Sequence, residues 1–211
     1  MLKKYSVLIG TITSLSLLLI ATLVYPGGSV FDKNSTGFAW TKNFISNLFA
    51  TKALNGADNP SRPWADMGMI VLSISIGTFF IHFSKKIPAK GAANVVKYLG
   101  AANVLFIFLI VTPLHGLMVI IASTLFLISL FYITIFILKT RLFLFKLFCI
   151  ICLLTFYCTL FLYGTRNWNI LPVMQKVTFI SSILLVLALE YFTKKEDFEH
   201  IKVREQKASH F

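Results

Sequence analysis

His115, Asp66 and Ser46 are the residues of this chain whose types could do covalent chemistry. His115 follows Thr112–Pro113 at the predicted start of a long apolar helix. A positive charge is unfavourable at a helix N-terminus, so its imidazole would be held neutral, ready to take or give a proton. Asp66 could orient that ring and Ser46 could serve as nucleophile or substrate contact, a set suited to a hydrolase or transferase acting on lipids. Each residue also has a plainer role. Asp66 in a first helical turn complements the helix dipole, and His115 can simply bond a backbone carbonyl. One histidine, one aspartate and one serine make a poor ligand set, so no metal or other cofactor is expected.

A second group could bind without reacting. Asn43, Asn47, Asn59, Arg62, Arg166 and Gln175 carry amides and guanidiniums suited to a phosphate or sugar headgroup. Four of them lie in the polar stretch WTKNFISNLFATKALNGADNPSRPW, residues 40–64. The elements around that stretch are what would position them.

Those elements are oily. The 211-residue chain is 57% hydrophobic, only 13% charged, and holds 21 phenylalanines. Soluble domains carry about 25% charged residues, so lipid must be the solvent for much of this chain. The net charge of +12 does not indicate nucleic acid, because the basic residues sit in short clusters between apolar runs. Membrane lipids are the expected partners. A homo-oligomer is open, since Gly10-x-x-x-Ser14 and Ser73-x-x-x-Gly77 could join helices within or between chains. Cys149, Cys152 and Cys158 share one apolar run and read as small hydrophobes.

An all-α bundle of six transmembrane helices is expected, spanning roughly 5–25, 65–83, 95–111, 113–138, 142–163 and 172–192. Residues 1–193 form one domain and 194–211 a polar, solvated tail. The first span is too long for a signal peptide core of about 7–15 residues. With the N-terminus cytoplasmic, 14 lysines and arginines fall inside and 6 outside, so both termini are expected in the cytoplasm, at a bacterial inner membrane. The polar stretch is then external. Phe38, Trp40, Phe44, Ile45, Leu48 and Phe49 recur at helical spacing, which predicts a short interfacial helix in this loop. Asn103 is the clear polar residue near mid-membrane and should make an interhelical hydrogen bond.

YPGG, NFISNL, NPSRPW and Gly68, followed by TPLHG at residues 112–116 and MQKV at 174–177, resemble the family known as domain of unknown function 998. These are six-span, mostly prokaryotic membrane proteins, more distantly similar to DRAM-type proteins. The resemblance covers nearly the whole chain and carries over to Ser46, Asn59, Pro60, His115 and Gln175. It implies the fold and the span count and supplies no activity. Two positions depart from the pattern: Asn47 stands where members have an acid, and Phe49 where they have glycine.

Three functions follow. The first is binding of a lipid headgroup or small ligand in an outer-leaflet polar pocket. The second is an intramembrane lipid hydrolase or transferase using His115. The third, a small-molecule transporter, is the poorest fit, because coupled carriers place carboxylates or broken helices at the midplane and none is visible here.

Overall fold

The computed structural model describes residues 2–109, 115–199 and 201. It contains six α-helices: α1 (Ser6–Leu23), α2 (Arg62–Ser84), α3 (Lys90–Leu109), α4 (His115–Leu138), α5 (Phe143–Gly164) and α6 (Leu171–Phe192). Among the described residues, five helical segments are long and apolar enough to cross a membrane: Ser6–Leu23, Arg62–Ser84, Leu117–Leu138, Phe143–Gly164 and Leu171–Phe192. Only 11% of the most apolar stretch of α5 is buried inside the protein, which leaves most of that stretch as apolar surface. These helices fit an integral membrane protein. The expected third span coincides with most of α3, and its last residues lie outside the description, as does the predicted Thr112–Pro113 bend.

Helix ends follow the local chemistry. Pro26 cannot continue α1, and Gly27 and Gly28 turn the chain with φ of +139° and +84°. Pro63 and Pro172 sit in the first turns of α2 and α6, where a missing N–H costs nothing. Thr140 closes α4 by donating to the Ile137 carbonyl at 2.7 Å.

Packing divides the chain into two compact units, residues 1–72 with 155–182, and residues 73–154 with 183–211. In the first, Gly68 of α2 fits against α1: a Cβ there would lie 3.2 Å from the Ser14 carbonyl and 3.1 Å from Leu18. The hydroxyls of Thr159 and Thr178 bridge α5 and α6 at 2.7 Å. In the second, Phe79, Phe80 and Phe83 of α2 form a buried aromatic column. Gly100 of α3 seats Phe80, and Gly77 of α2 seats Val104. The small residues Ser14 and Gly77 are therefore occupied by helices of the same chain.

Three expectations are corrected. The predicted interfacial helix is a single five-residue 3-10 turn, Ile45–Phe49. Its Leu48 and Phe49 are buried within the protein, while Phe44 and Ile45 are half-buried. Asn103 is 1% exposed, yet neither its amide nitrogen nor its oxygen finds a partner among the described residues. The tail is not solvated from residue 194 onward: residues 196–199 are helical, Phe198 and Ile201 are buried, and the Phe198 ring meets Phe83 edge-on.

Candidate functional site

The loop between α1 and α2, residues 26–61, is built by side chains bonding to its own backbone. Asn43 is fully buried. Its amide donates to the Gly28 carbonyl at 2.7 Å, and its oxygen accepts from the Ala39 N–H at 2.9 Å. The Asn47 oxygen accepts from the Phe44 N–H at 2.7 Å. The Asn59 amide reaches the carbonyls of Asn47, Leu48 and Ala50, the shortest at 2.8 Å. Its oxygen takes the Ser61 hydroxyl at 2.5 Å, which places Ser61 at the head of α2. Tyr25 closes the loop from the α1 side by accepting from the Leu54 N–H at 3.1 Å. Burial pushes this phenol above its ordinary value, while the Leu54 bond works against that rise.

α6 pins the loop. Gln175 accepts from the Ile45 N–H at 2.9 Å. At the next residue, the Lys176 ammonium donates to the Asn43 carbonyl at 2.5 Å and to the Pro172 carbonyl at 2.9 Å, and lies over the Phe38 ring. Lys176 was not among the sequence candidates, where it counted only as an external positive charge. The signal was its place beside Gln175 in MQKV.

The proposed ligand-binding amides therefore have structural partners. Asn43, Asn47, Asn59 and Gln175 each direct hydrogen bonds at loop backbone, and a buried polar side chain with partners stays where they are. Ser46 is half-buried in the 3-10 turn. Arg166 is exposed in the turn after α5, held at φ +54°. His115 is the first residue of α4, in the second unit, and its side chain lies outside the described residues.

Arg62 and Asp66 differ from the amides. They face each other one turn apart on α2, Nε to Oδ2 at 3.6 Å, with 40% and 24% of their side chains exposed. Such an i,i+4 contact is worth about 0.3–0.5 kcal/mol, too little to hold the guanidinium against a better anion. The second carboxylate oxygen, Oδ1, is buried and has no donor among the described residues. A phosphate could take the arginine while an ammonium or hydroxyl satisfied Oδ1.

A second polar cluster lies in the other unit, at the ends of α2 and α6. His82 Nδ1 and Glu190 Oε1 are 2.6 Å apart. The Glu190 side chain is 8% exposed. The Lys86 ammonium binds the Leu189 and Glu190 carbonyls at 3.0 and 2.9 Å, capping α6. Burial lowers the pKa of Lys86, opposed by the charges of Glu190 and Asp197. The described residues hold no cluster of three or more metal-ligating side chains. Comparison of the chain with family models, with curated proteins and with solved structures finds no match.

Proposed function

We propose that this integral membrane protein binds the headgroup of a zwitterionic lipid, or a small ligand of the same chemistry, at the outer end of α2. Arg62 takes the phosphate and Asp66 the ammonium. Arg166 is a second phosphate contact from the turn after α5. The observation that carries this reading is the buried Asp66 oxygen without a donor among the described residues, beside a partly exposed guanidinium, on α2 next to a loop whose amides already have partners. A buried carboxylate oxygen left unmatched costs about 1–3 kcal/mol, which a ligand ammonium would recover. The reading includes both termini in the cytoplasm, a bacterial inner membrane, and membership of the family that the loop motifs resemble.

The test is native mass spectrometry of the full chain released from nanodiscs that mix phosphatidylethanolamine with phosphatidylcholine. Wild type should retain phosphatidylethanolamine selectively. Asp66→Asn should lose the headgroup preference, and Arg62→Gln should lose retention of both lipids. Equal retention of the two lipids by wild type, or unchanged selectivity in Asp66→Asn, would sink the reading.

A further inference from the structure

The connection between α4 and α5, in the second unit, borders a half-open cavity of about 820 Å³. Lys139, Arg141 and Lys146 line it, together with Glu196 and Asp197 from the segment after α6. Thr140 fixes the turn that brings the cations together: its hydroxyl donates to the Ile137 carbonyl at 2.7 Å and accepts from the Leu142 N–H at 3.2 Å. Three cations and two carboxylates leave a surplus of one positive charge.

The carboxylates do not neutralise Arg141 or Lys146. Neither Arg141 nor Lys146 makes a salt bridge with a described residue. Asp197 instead accepts from the Lys194 N–H at 2.7 Å. An excess of basic residues beside a span serves membrane topology wherever it lies near the surface. That requirement does not gather basic residues around one concavity, nor leave Arg141 and Lys146 without a salt bridge to the carboxylates of the same lining. Phe143, Leu144 and Leu147 are exposed next to the basic rim, where acyl chains would run.

We propose that this cavity is a binding site for a phosphate group, a phosphodiester or a phosphate monoester. Arg141 and Lys146 grip its oxygens, and Glu196 accepts hydrogen bonds from hydroxyls carried by the same ligand. An anionic phospholipid such as phosphatidylglycerol has both features, and free inorganic phosphate has the first. This site is independent of the zwitterionic site on α2. It uses other residues, in the other unit, and prefers net negative charge.

The full chain is reconstituted in phosphatidylcholine nanodiscs doped with phosphatidylglycerol, and bound lipid is counted by native mass spectrometry. Wild type should retain phosphatidylglycerol over phosphatidylcholine. The Arg141→Gln/Lys146→Gln double variant should lose that preference at least about tenfold, the change expected when one charge-assisted hydrogen bond is lost. Arg141→Lys, which keeps the charge and folding but not the fork, should fall between them. The exposed pair Lys85→Gln/Lys90→Gln removes the same charge from the same unit outside the cavity and should bind as wild type. In a second arm, inorganic phosphate is titrated against the protein in phosphatidylcholine alone. Saturable binding that the double variant lacks would identify a soluble phosphate as the ligand source. Its absence alongside phosphatidylglycerol retention would identify the lipid. The proposal is overturned if neither probe binds, if the double variant matches wild type, or if the Lys85/Lys90 control loses as much.

Discussion

Lys176 of α6 donates its ammonium to the main-chain carbonyl of Asn43, at 2.5 Å, across 133 residues of sequence. Asn43 itself is fully buried and holds Gly28 and Ala39 through its side chain. One lysine thus ties a membrane span to the central knot of the loop. Lys176→Met keeps the apolar stem and removes the donor. The loop should loosen at a cost of about 1–3 kcal/mol, the usual penalty for stranding a partly buried acceptor. Trypsin should then cut at Lys42 and Lys52 faster than in wild type, and equal cleavage rates would show that the bond does not hold the loop.

Asn59 carries more bonds than any other loop side chain described. Asn59→Ala strands the Ala50 carbonyl and removes the Asn59 bonds to the Leu48 carbonyl and the Ser61 hydroxyl. Ser61 and Leu48 keep their mutual bond at 3.1 Å, so part of the wiring survives. A loss of about 1–3 kcal/mol is expected, the usual cost of one unmatched polar group. Asn59→Asp should be at least as damaging, because it loses the donors and buries a charge. Thermal unfolding of both variants in one detergent gives the order, and an aspartate milder than alanine would contradict it.

What could be read from the sequence divides along a physical line. Lipid imposes one crude requirement, length and apolarity, and the spans at α1, α2, α4, α5 and α6 were legible from that alone. The two glycines of YPGG take φ values that other residues rarely adopt, which is why they turn the chain after α1. The destinations of the loop amides were not legible. An asparagine suits a ligand and a backbone carbonyl equally, and only loop closure over tens of residues decides between them. Phe44, Leu48 and Phe49 misled for a related reason. Their spacing fits a short amphipathic helix, but the Asn43 and Asn47 side chains compete for the backbone N–H groups and leave one 3-10 turn.

Gly28 tests the closure from the other side. Its φ is +84°, and a Cβ would lie 2.2 Å from the Asn55 backbone nitrogen, so Gly28→Ala meets both strain and overlap. Gly37 has φ +66° with open space around it, so Gly37→Ala meets strain alone. The left-handed strain costs about 1–3 kcal/mol in either variant. Gly28→Ala should be the more destabilised of the two by thermal unfolding. Equal midpoints would mean that the loop yields at Asn55 without cost.

Tyr25 and Lys86 should give opposite slopes of stability against pH. Burial raises the Tyr25 phenol above 10.0, so the unfolded chain releases this proton first. Its contribution is present below pH 10.0 and is lost as pH climbs from there through the folded-state value. Burial lowers Lys86 below 10.5, so here the unfolded chain holds its proton longer. Stability from this group grows as pH rises from the folded-state value toward 10.5 and levels off above it. Each slope is isolated by a difference, wild type minus Tyr25→Phe and wild type minus Lys86→Met, which cancels the other titrating lysines. Hydrogen exchange reads the two differences separately, at Leu54 for the loop and at Thr193 for the end of α6. The Tyr25 difference should shrink above pH 10.0. The Lys86 difference should increase up to 10.5, and a flat or falling Lys86 curve would mean that its ammonium is better solvated than its three bonds to α6 and Thr193 imply.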